Sequence, residues 1–258
     1  MIIGNKYELI QKINSGSFGA LYKGKNIRTN EFVAIKVERK SNMNTLKYEA
    51  NVYKYLNSKN IDGFIKLKWF GTDEKYNYLV IDLLGRSLKN IQSNNDNFIF
   101  DIGKKIINKL MKLHENKIIH RDIKPDNILL KFNNSFDELF LIDFTFSKKY
   151  IDTNNIHMEQ KNINRIIGSV NYISLNIHNL IEPSRRDDLE SVIYILIYIY
   201  FGKLEWENEL DMDKIIKMKQ NIIYNPNIPQ YLLQMLSYVR TIEFNERPNY
   251  FYLMGFLQ

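Results

Sequence analysis

The feature that most constrains this fold is a charged segment, residues 120–127 (HRDIKPDN), enclosed between two apolar segments. Ile118 and Ile119 precede it, and residues 128–130 (ILL) follow it. Short apolar segments of this kind are typical of buried strands. The pattern therefore predicts a charged loop held between two buried segments.

The residue types in this loop are those that phosphoryl transfer requires. The reaction needs a carboxylate near the attacking hydroxyl, cations on the phosphates and ligands for a metal ion. Asp122 can accept the hydroxyl proton, Lys124 can neutralise charge on the moving phosphoryl group, and Asn127 can offer an oxygen to Mg²⁺. Asp143, which follows a second apolar segment, supplies a further metal ligand. The order and spacing of the whole set support this interpretation, because an isolated Asp before an apolar segment can simply cap a turn.

Two upstream segments fit the same chemistry. Lys36 ends the strand-like segment 33–36 and can pair with the α- and β-phosphates, with Glu49 on a predicted helix as its partner. A glycine-rich turn should lay backbone N–H groups over the phosphates, although its first glycine is replaced by Asn14. Taken alone, a surface Lys and Glu and a plain hairpin are the alternatives. The predicted phosphate-binding residues of the turn are Ser15, Gly16, Ser17, Phe18 and Gly19.

The residue pattern divides the chain into two regions. The first contains strand-like segments punctuated by glycines, and one helical period over 45–56. After Gly85 the pattern becomes helical, and 189–201 is apolar on nearly all sides. We therefore predict an α+β protein with one domain of two lobes, hinged at Gly85. Residues 1–84 form a small β-rich lobe with one helix, and residues 85–258 a larger, mainly α-helical lobe.

Composition excludes several classes of protein. The chain of 258 residues contains no cysteine, which excludes disulfides and thiolate metal sites. Its most apolar run, 192–201, is about half of the roughly 20 residues that a membrane helix requires. We expect an intracellular protein, in the cytoplasm or nucleus, without membrane contact. The preference for Ile, Asn and Lys is typical of an AT-rich genome, and a protein encoded by a parasite or a large virus would act in the host cell.

The net charge of +7 is carried mostly by the first 84 residues. A solvated basic face explains this excess, and attraction of acidic or phosphorylated protein is an alternative. A nucleic-acid-binding module would use the same face, but the sequence contains no dedicated nucleic-acid motif. Nucleic acid is therefore not an expected partner.

These motifs together resemble the eukaryotic protein kinase superfamily and, within it, the casein kinase 1 family. The finer resemblance rests on 184–191 (SRRDDLES) and on 174–176 (SLN), which stands where other kinases carry Ala-Pro-Glu. Residues 148–150 (KKY) and 83–88 (LLGRSL) are similar as well. The resemblance covers nearly the whole chain. It implies the bilobal protein kinase fold, ATP with Mg²⁺ or Mn²⁺ as cofactors, and a monomeric enzyme.

The resemblance also implies roles for individual residues. Lys124, two positions after Asp122, is similar to the serine/threonine branch. Asp188 would hydrogen-bond the backbone of the catalytic loop, and His120 would be a core histidine. Ile81 would be the gatekeeper of a pocket in which three side chains enclose adenine and the backbone of two residues reads its edge. The implied enclosing residues are Ile13, Ala34 and Leu129, the edge-reading residues are Asp82 and Leu84, and Leu21 and Ile142 complete the nucleotide pocket.

Substrate preference follows from the same resemblance. Casein kinase 1 enzymes prefer protein substrates that are acidic or already phosphorylated upstream of the target, and they read them with a basic cluster. Here that cluster is altered, because Asn171 stands where the family usually has Arg. The candidate substrate-recognition residues are Arg165, Asn171, Arg185, Lys217 and Lys219.

The activation segment between Asp143 and Asn176 has hydroxyl groups at Thr145, Ser147, Thr153 and Ser169. The resemblance implies activity without their phosphorylation. Thr145 replaces the glycine of Asp-Phe-Gly, and a β-branched residue tolerates positive φ poorly. We expect it to let Asp143 reach the metal but to disfavour the flipped loop, and we expect Asn14 to weaken ATP binding. A pseudokinase that acts as a scaffold or an activator is the alternative function.

Overall fold

The structure is a computed structural model that describes residues 1–16, 19–41 and 44–258. Contacts divide these residues into two units. The first comprises Met1–Arg86 and Leu129–Thr145, and the second comprises Ser87–Ile128 and Phe146–Gln258. A β-rich unit and a mainly helical unit confirm the predicted α+β class.

An antiparallel sheet forms the core of the first unit. Its described strands form a six-stranded sheet in the order β1-β2-β3-β4-β6-β5. The register places Leu21 opposite Lys36 and Ala34 opposite Ile81. Apolar side chains that include Val33, Ile35 and Val80 pack into a buried cluster. The strands are β1 (Ile2–Ile3), β2 (Tyr7–Gly16), β3 (Gly19–Asn26), β4 (Phe32–Arg39), β5 (Leu67–Thr72) and β6 (Tyr76–Asp82).

One helix, α1 (Thr45–Ser58), lies against β5 and β6. Its buried side chains recur at helical spacing and include Leu46, Ala50, Tyr53 and Leu56, as the sequence period predicts. Glu49 lies among them on the buried side of the helix. A carboxylate is thereby placed within an otherwise apolar interface.

Residues 129–145 belong to the first unit, although the division at Gly85 assigned them to the second. They contain most of β8 (Ile128–Leu130) and all of β9 (Leu139–Leu141), which pair with each other. The chain that leaves β6 runs beside β8, because the Gly85 N–H donates to the Leu130 carbonyl at 3.0 Å and the Leu130 N–H donates to the Arg86 carbonyl at 2.9 Å. A Cβ at Gly85 would lie 2.3 Å from a backbone oxygen, so this approach requires glycine.

The second unit is built around α4 (Arg185–Phe201), which contacts the helices α2 and α6. Nearly every residue of α4 is buried, which confirms the predicted helix that is apolar on most sides. The short strand β7, which precedes the catalytic loop, pairs antiparallel with β10, which lies within the activation segment. Across the described ranges, no helix has both the length and the apolar character to cross a membrane. The other elements are α2 (Asp96–Glu115), β7 (Ile118–Ile119), β10 (Lys148–Lys149), α3 (Leu175–His178), α5 (Met212–Asn221), α6 (Gln230–Thr241) and α7 (Tyr250–Gly255).

The start of α4 is tied to the segment that replaces Ala-Pro-Glu. Asp187 accepts hydrogen bonds from the Ser174 hydroxyl at 2.5 Å and from the Asn176 amide at 3.0 Å. It also accepts the Ser184 N–H at 2.7 Å, which caps the helix start. The segments 174–176 and 184–191 are therefore joined by hydrogen bonds.

Candidate active site

Lys36 and Glu49 form an ion pair in the first unit. The Lys36 ammonium lies 2.8 Å from Glu49 Oε1 and 2.9 Å from Oε2, so both carboxylate oxygens accept hydrogen bonds. Burial alone would lower the pKa of Lys36, but the carboxylates of Glu49 and Asp143 outweigh this effect and raise that pKa above its ordinary value. Lys36 is therefore cationic at neutral pH, as binding to phosphate requires. The pair also couples the position of α1 to that of the cation on β4.

Asp143 lies beside this pair, with Oδ1 at 3.5 Å from the Lys36 ammonium. Its N–H donates to the Tyr53 hydroxyl at 3.2 Å. The next residue, Phe144, is fully buried and packs edge-to-face on Tyr53 with ring centroids 5.1 Å apart. The buried ring anchors the chain in the core, and the Asp143 carboxylate stays partly exposed next to Lys36.

Thr145 does not adopt the positive φ that the comparison with glycine suggested. The left-handed residue is Asp143, at φ 65°, and Thr145 is not among the residues with positive φ. The poor tolerance of β-branched residues for positive φ therefore does not affect Thr145 in the observed conformation, and its effect on the flipped loop stays a prediction. Its hydroxyl instead donates to Asp143 Oδ1 at 2.7 Å. This interaction holds the carboxylate toward Lys36, an arrangement that glycine could not provide.

The nucleotide residues implied by the resemblance all lie in the first unit. Ala34 and Ile81 are adjacent on β4 and β6 and are buried, whereas Ile13 is 51% exposed. The Asp82 carboxylate is engaged elsewhere, since it accepts the Lys66 N–H at 2.8 Å and lies 3.0 Å from the Lys68 ammonium. Its backbone is the part that remains to contact a base. The half-buried members of the set are Leu21, Leu84, Leu129 and Ile142.

The glycine-rich turn joins β2 to β3. Ser15 pairs with Ala20 and Gly16 with Gly19, while Ser17 and Phe18 lie outside the described residues. Gly19 has φ +125°, and a Cβ there would lie 2.1 Å from a backbone carbonyl oxygen, so only glycine fits.

Asn14 lies in the extended strand β2, opposite Leu21, and is not left-handed. Asparagine tolerates left-handed backbone better than most residues, but the backbone at position 14 does not require that conformation. The Asn14 side-chain oxygen accepts the Ser15 N–H at 2.8 Å, and this bond occupies one backbone donor at the edge of the turn. Competition for that donor gives a physical reason to expect weaker phosphate binding.

The Asp122 carboxylate is the centre of the second set of groups, in the second unit. Oδ1 accepts the Ser169 hydroxyl at 2.8 Å, and Oδ2 lies 2.8 Å from the Lys124 ammonium. The Asn127 amide donates to Oδ2 at 3.1 Å and to the Asp122 carbonyl at 2.9 Å. Lys124 also donates to the Ser169 hydroxyl at 2.9 Å. Three side-chain donors thus hold the carboxylate in one orientation, and a carboxylate is a group that can accept a proton.

Sequence reasoning did not assign Ser169 to this site. Ser169 is 47 positions from Asp122, and its neighbours Gly168 and Val170 carry no chemical signal of their own. Only the folded chain shows that its hydroxyl bridges the side chains of Asp122 and Lys124.

The residues available for a metal ion are a carboxylate and an amide. Because the Asn127 –NH₂ donates to Asp122, its amide oxygen remains as the atom able to bind a cation. The described part of the chain contains no group of three or more His, Asp or Glu residues that could hold a metal by itself. Asp143 in the first unit and Asn127 in the second each offer the kind of oxygen atom that Mg²⁺ binds in proteins.

Asp188 in the first turn of α4 supports the catalytic loop. It accepts the N–H groups of His120 and Arg121, each at 2.8 Å, and lies 2.9 Å from His114 Nε2. Burial alone would raise the pKa of Asp188, but the hydrogen bonds outweigh it and hold that pKa below its ordinary value. His120 is fully buried, and its Nδ1 accepts the Asp122 N–H at 3.2 Å. The structural roles implied for Asp188 and His120 are confirmed.

Of the five candidate substrate-recognition residues, two cations are exposed, namely Arg165 and Lys217. Asn171 is half-buried, and its carbonyl accepts the Trp206 indole N–H at 2.8 Å. Arg185 and Lys219 are buried and engaged within the protein.

Lys219 and Arg185 are therefore corrected from substrate contacts to internal groups. The Lys219 ammonium donates to the carbonyls of Val170 at 2.8 Å and Ile173 at 2.7 Å, and burial lowers its pKa to about 7. The Arg185 guanidinium stacks on the Tyr150 ring, 4.6 Å from its centroid, and donates to a backbone carbonyl at 2.7 Å. Neither group is available to a peptide in solution.

Comparison with known families gives an independent view of the same residues. The model of the protein kinase domain matches residues 7–254. The match includes the strand with Lys36, the helix with Glu49, the catalytic loop and the activation segment. It covers nearly all of the 258 residues. The chain therefore belongs to the protein kinase domain family.

Proposed function

We propose that this protein is a serine/threonine protein kinase of the casein kinase 1 type, which transfers the γ-phosphate of ATP to hydroxyl groups of protein substrates. The observation that supports catalysis most directly is the Asp122 carboxylate, held by Lys124, Asn127 and Ser169 within 3.1 Å. A catalytically inert relative would have no need to orient this carboxylate with three separate side chains.

Each group has a distinct part in the reaction. Asp122 accepts the proton of the substrate hydroxyl as that oxygen attacks the γ-phosphorus. Lys124 neutralises charge on the phosphoryl group in transit, and Lys36 binds the α- and β-phosphates. Asp143 and Asn127 would each offer an oxygen to the metal ion, and the ion would supply positive charge to neutralise the phosphates.

Serine/threonine specificity and the casein kinase 1 type rest on two features. Lys124 stands two residues after Asp122, where it reaches both Asp122 and Ser169. The segments 174–176 and 184–191, which carry the resemblance, are joined through Asp187. Arg165 and Lys217 are the exposed candidates that remain to contact an acidic or phosphorylated residue. We therefore expect a weaker preference for primed substrates than the family shows.

Replacement of the proposed base tests this function. We expect Asp122→Asn to lower the rate of phosphate transfer from labelled ATP to a peptide array by roughly 10² to 10⁴, because the hydroxyl loses its proton acceptor. Asp101→Asn is the matched control, since Asp101 makes only an exposed ion pair with Lys105 on α2. A wild type no faster than Asp122→Asn would favour the pseudokinase alternative.

Equal rates of phosphate transfer to a primed peptide and to its unprimed twin would exclude a preference for primed substrates.

A further inference from the structure

Glu182 is a buried carboxylate that the reaction described above does not use. It lies between α3 and α4 and is only 3% exposed. Its Oε1 accepts hydrogen bonds from Arg121 Nη1 at 3.2 Å and from the Lys148 ammonium at 2.9 Å. Its own N–H donates to the Lys161 carbonyl at 2.9 Å, which fixes its backbone. Burying a carboxylate without partners is costly, and the two cations supply those partners for Glu182.

Both cations belong to segments that position the catalytic loop. Arg121 precedes Asp122 directly, and its backbone is held at φ 70°, a conformation that a non-glycine residue keeps only where its surroundings impose it. Its side chain also donates from Nε to the Phe146 carbonyl at 2.6 Å, within the activation segment. Lys148 lies on β10, opposite Ile119 at the entrance to the loop. Glu182 thus connects the catalytic loop with the activation segment.

In many kinases a phosphorylated side chain of the activation segment makes this connection, by pairing with arginine. Here three of the four hydroxyl residues named above for this segment, Thr145, Ser147, Thr153 and Ser169, are poorly placed for that role. Thr145 and Ser169 donate to the carboxylates of Asp143 and Asp122, and Ser147 is buried. Of these four hydroxyl residues only Thr153 is exposed.

We infer that Glu182 is a positioning residue that takes the place of an activation-segment phosphate. Its carboxylate supplies the negative charge that holds Arg121 and Lys148, and it keeps the loop around Asp122 in its active arrangement without any modification. The inference rests on the proposed kinase activity. It names Glu182 as the residue that makes phosphorylation unnecessary. It also defines a cationic pocket, formed by Arg121 and Lys148, that an external anion could fill once the Glu182 carboxylate is removed.

Chemical rescue tests the inference. We expect Glu182→Ala to lower kcat on the order of 10²-fold, as displacement of a catalytic group does, with little change in KM for ATP. Sulfate should then restore much of the lost rate, because a tetrahedral anion can pair with both cations, whereas chloride at equal ionic strength should not. Glu182→Gln, which keeps the shape but not the charge, should be impaired as well. Glu115→Ala, which removes an exposed pair with Arg247, is the control.

The outcomes separate this inference from the proposed function. A fully inactive wild type would refute the kinase activity alone. In that case sulfate should still raise the Tm of Glu182→Ala more than that of the wild type, because only the variant has an empty anion pocket. Normal kcat in both Glu182 variants would overturn the inference. The inference would also be overturned if sulfate, compared with chloride, changed neither the rate nor the Tm of Glu182→Ala. Loss of wild-type activity after phosphatase treatment would overturn it too, because the activity would then depend on a phosphate group.

Discussion

At the scale of single residues, two charged positions among the proposed site segments have left-handed backbone. Arg121 and Asp143 have φ of 70° and 65°. Such conformations cost on the order of 1 to 3 kcal/mol for non-glycine residues and persist where neighbours impose them. Asp188 imposes the first through the Arg121 N–H, and Tyr53 imposes the second through the Asp143 N–H. Strain at these positions is thus coupled to the orientation of the proposed catalytic groups.

The Thr145 hydroxyl is the basis of a prediction at this scale. Thr145→Gly removes its 2.7 Å hydrogen bond to Asp143 and frees the backbone. Since a hydrogen bond to a charged group contributes about 1.5 to 3 kcal/mol, inhibitors that require the flipped loop should bind the variant about tenfold more tightly or better. Thr145→Val, which keeps the branching without the hydroxyl, separates the hydrogen bond from the backbone effect. Equal inhibitor affinities for wild type and Thr145→Gly, measured by calorimetry, would contradict this prediction.

At the scale of elements, the start of α4 organises the segments around Asp122 in the second unit. Its first turn carries Asp187, which binds the segment 174–176, and Asp188, which binds the catalytic loop. Acidic residues are also favoured at this position because of the partial positive charge at a helix N-terminus. A single helix end therefore sets the positions of two segments that are far apart in the sequence.

We expect Asp188→Asn to destabilise the protein by about 1 to 3 kcal/mol, because the amide replaces an acceptor oxygen and leaves a buried loop N–H unpaired. Activity should fall as well, since Asp122 follows the two residues that Asp188 holds. Urea unfolding measures the first effect. Asp213→Asn, the same change in the exposed first turn of α5, should alter the free energy of unfolding little. Equal effects of the two substitutions would argue against a special role for Asp188.

At the scale of the whole molecule, the core of the second unit contains charges as well as apolar side chains. Lys219 is fully buried between the rings of Tyr194 and Trp206, at 4.8 Å and 5.2 Å from their centroids. Glu190 and Arg240 form an ion pair nearby at 3.3 Å. Burial lowers the pKa of Lys219 from 10.5 to about 7, with Glu190 opposing this shift and Arg240 adding to it.

Stability should therefore depend on pH through Lys219. Between about pH 7 and 10.5 the unfolded chain retains a proton at this lysine that the folded chain has lost, so the free energy of unfolding rises with pH in this window. Below pH 7 the cost of burying the ammonium is fully present. Lys219→Met removes this pH dependence. It also deprives the Val170 and Ile173 carbonyls of the Lys219 donor, and the free-energy cost of that loss does not change with pH. The free energy of unfolding of the wild type minus that of the variant, measured by urea unfolding between pH 7 and 10.5, should increase with pH. A difference that does not change with pH would show that Lys219 stays charged in the folded protein.

The sequence by itself determined the elements and the chemical groups, since these depend on neighbours a few residues apart. Alternation and helical period predict β4 and α1, and the spacing within 120–127 identifies Asp122 and Asn127. A resemblance that extends over nearly the whole chain adds the structural role of Asp188. In each case the signal is local or is a motif with a defined order.

Only the tertiary structure decided which charged side chains are exposed and which distant groups meet. Lys217 and Lys219 look alike in sequence, yet one is exposed and the other lies in the core, because α5 turns only one of them inward. Ser169 and Glu182 act through partners 47 and 61 residues away, a separation over which spacing carries no information. Burial and long-range pairing are properties of the packed chain, and they convert a set of predicted groups into the oriented carboxylate of Asp122.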